Sequence, residues 1–202
     1  MSSSTATVTP DVRENILATG QRIMAGKGFS GVGLNEILTA AGVPKGSFYH
    51  YFASKEAFGA ALLETYFEQY LAEMDAILGQ PGLSAAQRLL NYWQSWQASQ
   101  SYLDCQGKCL AVKLGAEVAD LSEAMRTALR QGTEGIVHRL AAAIQDGVVD
   151  GSLAVDGDPE TAAHSLYQLW LGASVMVKIH RDGAPFASAL STTRQLLHLP
   201  TA

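Results

Sequence analysis

The chain has 202 residues, 48% of them hydrophobic and 16% charged, and a formal net charge of −5. That length accommodates one domain or two small ones with a real core, and the composition excludes a disordered polyelectrolyte. No apolar run reaches membrane-spanning length, and the acidic total excludes binding of polyanions through a broad basic surface.

In chain order, MSSSTATVTP has neither a basic nor an apolar leader segment. Residues 1–9 are therefore expected to be a disordered tail rather than a secretory signal. Pro10 to Lys27 reads as the first helix, with Thr9 as its N-cap and Val12, Ile16, Ile23 and Met24 near one face beside Leu17. Gly26 and Gly28 stop it, and Phe29 is expected in the core.

Gly33 to Glu56 reads as two short helices joined by a tight turn, then the start of a longer one. Leu34, Ile37 and Leu38 share a face, and Gly33 takes the N-cap with Glu36 three residues on. Gly42 can adopt the left-handed conformation that closes a helix, and Pro44 suits the first position of the next. In that helix Phe48 and Phe52 point inward and Tyr51 is expected in the core. Lys45, Gly46, Ser47, Tyr49 and His50 are left outside. A helix, a glycine turn and a helix with a polar, aromatic outer face is the layout of a DNA-reading helix-turn-helix; a plain helical hairpin has the same outline.

Ser54 caps a helix expected to run to about Leu78, with an apolar stripe from Phe58 through Leu62, Phe67 and Met74. Helices are further expected over 84–101, 109–118, from Ser122 or Asp120 to about Val149, over 159–179 and over 185–197. No alternating strand pattern appears, so the fold class is all-α: a three-helix head, a long connecting helix and a helical body. The expected units are a tail at 1–9, a DNA-binding head at 10–56 and a regulatory and dimerisation body at 57–202. Residues 1–56 carry +1 and residues 57–202 carry −6, so contact with DNA must rest on a few placed groups, doubled by dimerisation.

The literal residues AAGVPKGSFYHYFASKEAF resemble the DNA-binding signature of the TetR family of bacterial transcriptional repressors, over roughly Val12 to Leu63. The segments CLAVKLGAEVADLSEAMR and LYQLWLGASVMVKIHR resemble a narrower group within it, the electrophile-sensing repressors of the N-ethylmaleimide-reductase type. The family resemblance implies a cytoplasmic homodimer on a palindromic double-stranded operator, with DNA contacts at Gly33, Lys45, Gly46, Ser47, Tyr49, His50 and Lys55. Relatives mostly carry Thr or Ser where this chain has Val32 and Gly33, which removes a hydroxyl that meets phosphate; backbone N–H groups there can still do so. The narrower resemblance implies an electrophile or oxidant as inducer, with Cys109 as the sensor.

Cys109 follows Gly107 and Lys108 at an expected helix start, where the dipole favours thiolate, and Lys113 adds charge nearby. Lys178 lies on a helix otherwise apolar through Val175, Met176, Val177 and Ile179, and is expected near Cys109 or else snorkelling to the surface. Cys105 is a candidate resolving thiol. Tyr70, Trp93, Trp96 and Trp170 are candidates for lining a pocket, or for plain core, and a non-covalent apolar inducer in such a pocket is the alternative reading. Leu166, Leu169, Trp170 and Val177, with Gly172, Ala173 and Ser174 allowing close approach, are the expected dimer surface. No His-x-x-x-His spacing and no G-x-S-x-G occurs, so no metal, no cofactor and no enzymatic activity are expected.

Overall fold

The computed structural model describes residues 11–99 and 110–199, and among these there are nine α-helices and no strand. The expected all-α fold is what is found. Thr9, Pro10, Cys105, Lys108 and Cys109 lie outside the described residues.

Three helices build the head: α1 (Val12–Lys27), α2 (Leu34–Ala41) and α3 (Lys45–Tyr51). Asp11, not Thr9, caps α1, its carboxylate accepting the N–H of Arg13 at 3.1 Å. Ile16, Leu17 and Met24 are buried, whereas Val12 faces solvent and Ile23 is only half-buried, because the α1 stripe is narrower than its apolar content implied. Gly42 closes α2 at φ 67°, ψ 30°, in the left-handed region that a side chain strains to enter. Pro44 stands one place earlier than expected, as the N-cap of α3. Asn15 donates to the Ala41 carbonyl at 2.9 Å and so fastens the end of α2 to α1.

The fourth helix, α4 (Lys55–Leu78), starts on Ser54, whose hydroxyl accepts the N–H of Ala57 at 3.1 Å. It serves both halves of the molecule. Phe58 meets Phe48 and Phe52 of α3, with ring centroids 5.5 and 5.1 Å away, so the expected head boundary at residue 56 falls inside a helix whose next turn completes the head core. Further on, α4 packs along α7 (Glu123–Val149). The close approach depends on glycine: a Cβ on Gly132 would lie 2.1 Å from the Phe67 ring.

The body is completed by α5 (Ala85–Ser99), α6 (Leu110–Ala119), α8 (Pro159–His180) and α9 (Ala184–Leu196). Ser122 caps α7 through the Met125 N–H, and Asp158 caps α8 through the Glu160 and Thr161 N–H groups, with Pro159 at the first helical position. The body core lies among α4, α5, α7 and α8 and is continuous with the head core. Fully burying side chains such as Leu63, Leu89, Leu140 and Leu166 stabilises by about 1.5–3 kcal/mol each. No described helix is long and apolar enough to cross a membrane.

Candidate nucleic-acid interface and effector body

The short α3 exposes one face because its other face is spent on the core. Phe48 and Phe52 are buried against Phe58, which fixes the rotation of the helix and turns Lys45, Gly46, Tyr49 and His50 outward, with Ser47 half-buried at the edge. Tyr49 is 50% exposed and stands edge-on to Phe48 at 5.4 Å, so its ring is braced while its hydroxyl reaches away. The Lys45 ammonium lies 5.8 Å from the Tyr49 ring centroid, within cation–π range. A Cβ on Gly46 or Gly33 would meet nothing within 4 Å. The protein interior does not demand glycine at either place.

Tyr51 departs from expectation, and Lys55 has a second partner inside the chain. Tyr51 is 38% exposed rather than core, stacked edge-on against His50 at 4.8 Å, because the helix ends there and only Phe52 turns in. Lys55 is half-buried, its ammonium donating to the Phe29 carbonyl at 2.8 Å and lying 4.4 Å from the Phe29 ring centroid. It therefore holds the chain between α1 and α2, which leaves two of its three N–H donors for any outside phosphate.

The expected aromatic pocket divides in two. Trp93 and Trp170 stack at 4.6 Å and 11° in the closed core, with Phe186 against Trp170 at 5.7 Å. The Trp170 N–H donates to the Thr193 hydroxyl at 2.9 Å, while that of Trp93 has no acceptor among the described residues. Tyr70 and Trp96 do line a cavity of about 280 Å³ between α4 and α5, together with Tyr66, Tyr92 and, from the head, Gln21. The Tyr70 and Tyr92 hydroxyls share a hydrogen bond at 2.8 Å, and the Trp96 N–H donates to Ser174 at 2.9 Å.

The face expected for dimerisation also differs. Leu166, Trp170, Ala173, Ser174 and Val177 are buried within the single chain, packed against α7 and α9. What α8 presents outward is Gly172, Val175, Met176 and Ile179, the last three 43, 41 and 65% exposed and spaced as one helical stripe. Lys178 is exposed near the end of the same helix.

One carboxylate that ties body to head had no signature in the sequence. Glu117 on α6 accepts the N–H of Phe29 at 3.0 Å and of Ser30 at 2.6 Å, both in the turn between α1 and α2. Partial burial pushes its carboxyl up, but the Ser30 and Phe29 hydrogen bonds and the Lys113 charge outweigh this and hold it below the ordinary glutamate value. Lys113, expected beside Cys109, thus exerts its charge on Glu117. Among the described residues no cluster of acidic, histidine or cysteine side chains is set to hold a metal ion.

Comparison with known proteins agrees with this layout. Residues 16–62 match the family model for bacterial regulatory proteins of the tetR family, and residues 85–193 match that of a tetracyclin repressor-like C-terminal domain. The chain is 41% identical to the HTH-type transcriptional repressor NemR of Escherichia coli over 94% of its length and 96% of that protein's. It is 33% identical to the HTH-type transcriptional repressor DhaR of a Mycobacterium species, over 92% of both chains. The crystal structure of the reduced form of Escherichia coli NemR superposes with a TM-score of 0.89 at 42% identity, covering 95% of this chain and all of that one.

Proposed function

The chain belongs to the tetR family of bacterial regulatory proteins and is a DNA-binding transcriptional regulator, and from there we propose a homodimeric repressor released from its operator by electrophiles or oxidants acting at Cys109. The observation that carries the reading is the outer face of α3, where the buried Phe48 and Phe52 aim Lys45, Gly46, Tyr49 and His50 at a partner. Lys45, Tyr49 and Lys55 bind phosphates, Ser47 and His50 lie at the edge of the groove, and Gly33 and Gly46 let backbone approach the duplex. Two such heads related by a two-fold axis read a palindrome with half-sites spaced by helical turns. The α8 stripe of Val175, Met176 and Ile179 joins the protomers, and the protein works in the cytoplasm.

Release is a coupling free energy between body and head, typically about 1–3 kcal/mol. The support for a thiol sensor is the likeness to NemR, a repressor with a structure described as its reduced form, and the sequence position of Cys109, one residue ahead of Leu110 where α6 begins. Lys178 is assigned a part in tuning or capturing that thiol. The test is release of operator DNA by benzoquinone or hypochlorous acid. The native protein releases DNA and rebinds after thiol reductant, Cys109→Ser stays bound, and Cys105→Ser still responds. Release of Cys109→Ser at the native dose overturns the sensor assignment. It would favour the second reading, which the cavity between α4 and α5 supports, of a non-covalent inducer seated against Tyr70 and Trp96.

A further inference from the structure

We propose that Glu117 is the link by which the body governs the DNA-reading head: from α6 its carboxylate grips the Phe29 and Ser30 N–H groups at the turn leading into α2, so that displacement of α6 reaches the reading unit. The proposal deepens the repressor reading and rests on it.

The grip is specific in three ways. It spans 88 and 87 residues of sequence, and both hydrogen bonds go to one carboxylate, one per oxygen. The preceding residue, Gly28, has φ 81°, and a Cβ there would lie 2.8 Å from the nearer Glu117 oxygen, so glycine both permits the turn and clears the carboxylate. The Phe29 peptide is held on its other side as well: its carbonyl accepts from Lys55, which opens α4 directly after α3. Glu117, Phe29 and Lys55 therefore form one chain of polar contacts from α6 to the end of the helix-turn-helix.

The position of α6 makes this chain a transmitter rather than a brace. Its buried Leu110, Leu114 and Val118 seat it against α7 and α8 in the body, and Glu117 is the turn of that helix facing the head. A shift of α6 along or about its axis pulls on Phe29 and Ser30 through these two hydrogen bonds, beside the contact of α6 with α1. An apolar contact in the same place would slide; a charge-assisted pair of hydrogen bonds with fixed directions does not.

The experiment uses the full chain and a duplex selected by it from random-sequence DNA, with hydrogen exchange of the α6 amides followed by mass spectrometry. By linkage, if α6 acts on the head then the head acts on α6. In the native protein the duplex slows exchange across residues 110–119, although α6 lies outside the helix-turn-helix. In Glu117→Ala, duplex affinity stays within about threefold, but α6 exchange no longer changes when DNA binds. Glu117→Gln, which keeps one acceptor of the two, gives an intermediate response, and it decides the matter alone should Glu117→Ala fail to fold. An equal α6 response in native and substituted proteins, or none in the native protein, overturns the link. Failure to select any duplex ends the repressor reading and the link with it, whereas quinone insensitivity removes only the sensor assignment.

Discussion

Lys45 and Tyr49 stand where a side chain acts on the outside with little duty inside. Lys45→Ala is expected to leave the thermal midpoint within error while weakening duplex binding and lowering the slope of log affinity against log salt by about one unit per protomer, so about two for a bound dimer. A native-like slope in a titration at several salt concentrations would refute a phosphate contact there. Lys55 differs, because its ammonium also holds the Phe29 carbonyl and ring. Lys55→Ala is expected to cost about 1–2 kcal/mol of stability as well as affinity, and only a denaturation curve separates the two. The sequence told these lysines apart poorly. The signature places both at DNA, whereas the second role of Lys55 depends on a carbonyl 26 residues away. The stacked tryptophans give a paired test. Trp170→Phe strips the Thr193 hydroxyl of its donor, while Trp93→Phe removes a buried N–H that has no described acceptor. Trp170→Phe is therefore expected to be the more destabilising by about 1–3 kcal/mol, measured by urea unfolding.

At the scale of elements, helices were legible because caps and stops are local: Ser54, Ser122, Asp158 and Gly42 each act within a few residues of themselves. Which face of a helix turns where was less legible on the second half of α8, where Leu169 to Ile179 carries apolar residues on both sides. Periodicity cannot rank two apolar faces, and the richer one, with Leu166, Trp170 and Val177, went to the protomer's own core. The poorer stripe is the one proposed above to join a second copy. Ile179→Asp is thus expected to yield a folded monomer at micromolar concentration in sedimentation velocity, with helical content unchanged. A dimer that survives Ile179→Asp and Met176→Glu together would place the interface elsewhere. The cavity was half-read for a similar reason: Tyr70 and Trp96 sit on facing helices with room between them, whereas Trp93 and Trp170 close their gap by stacking.

For the molecule as a whole, several carboxylates act as fasteners between distant segments. The Arg139 guanidinium forks onto Asp75 and joins α7 to α4, and the Ala85 N–H with Ser152 holds Asp150 at the start of α5; both carboxyls sit below their ordinary values, as Glu117 does. A folded-state value lowered beneath the unfolded one means stability that is present above the unfolded value and lost as pH falls through the folded one. The thermal midpoint is accordingly expected to be flat near neutrality and to drop below about pH 4, with Asp75→Asn giving a shallower fall in a scan from neutral to acid. Such long-range ties leave no trace in composition or periodicity, which is why Glu117 had to be found in space.

Gly59 carries a consequence for how the protein melts. At this point of α4 the absent side chain leaves room for Phe29 of the head and Met125 of the body, and a Cβ would lie 2.7 and 2.5 Å from them. The two halves therefore touch through one another's cores, and neither has a finished interior alone. All three tryptophans lie in the body, so their emission is blind to the head unless the halves unfold together. Emission and far-ultraviolet ellipticity are expected to trace a single curve with one calorimetric peak. That expectation leaves no state in which a molten head hangs from an intact body, so a substitution that loosens the body core is also expected to lower operator occupancy.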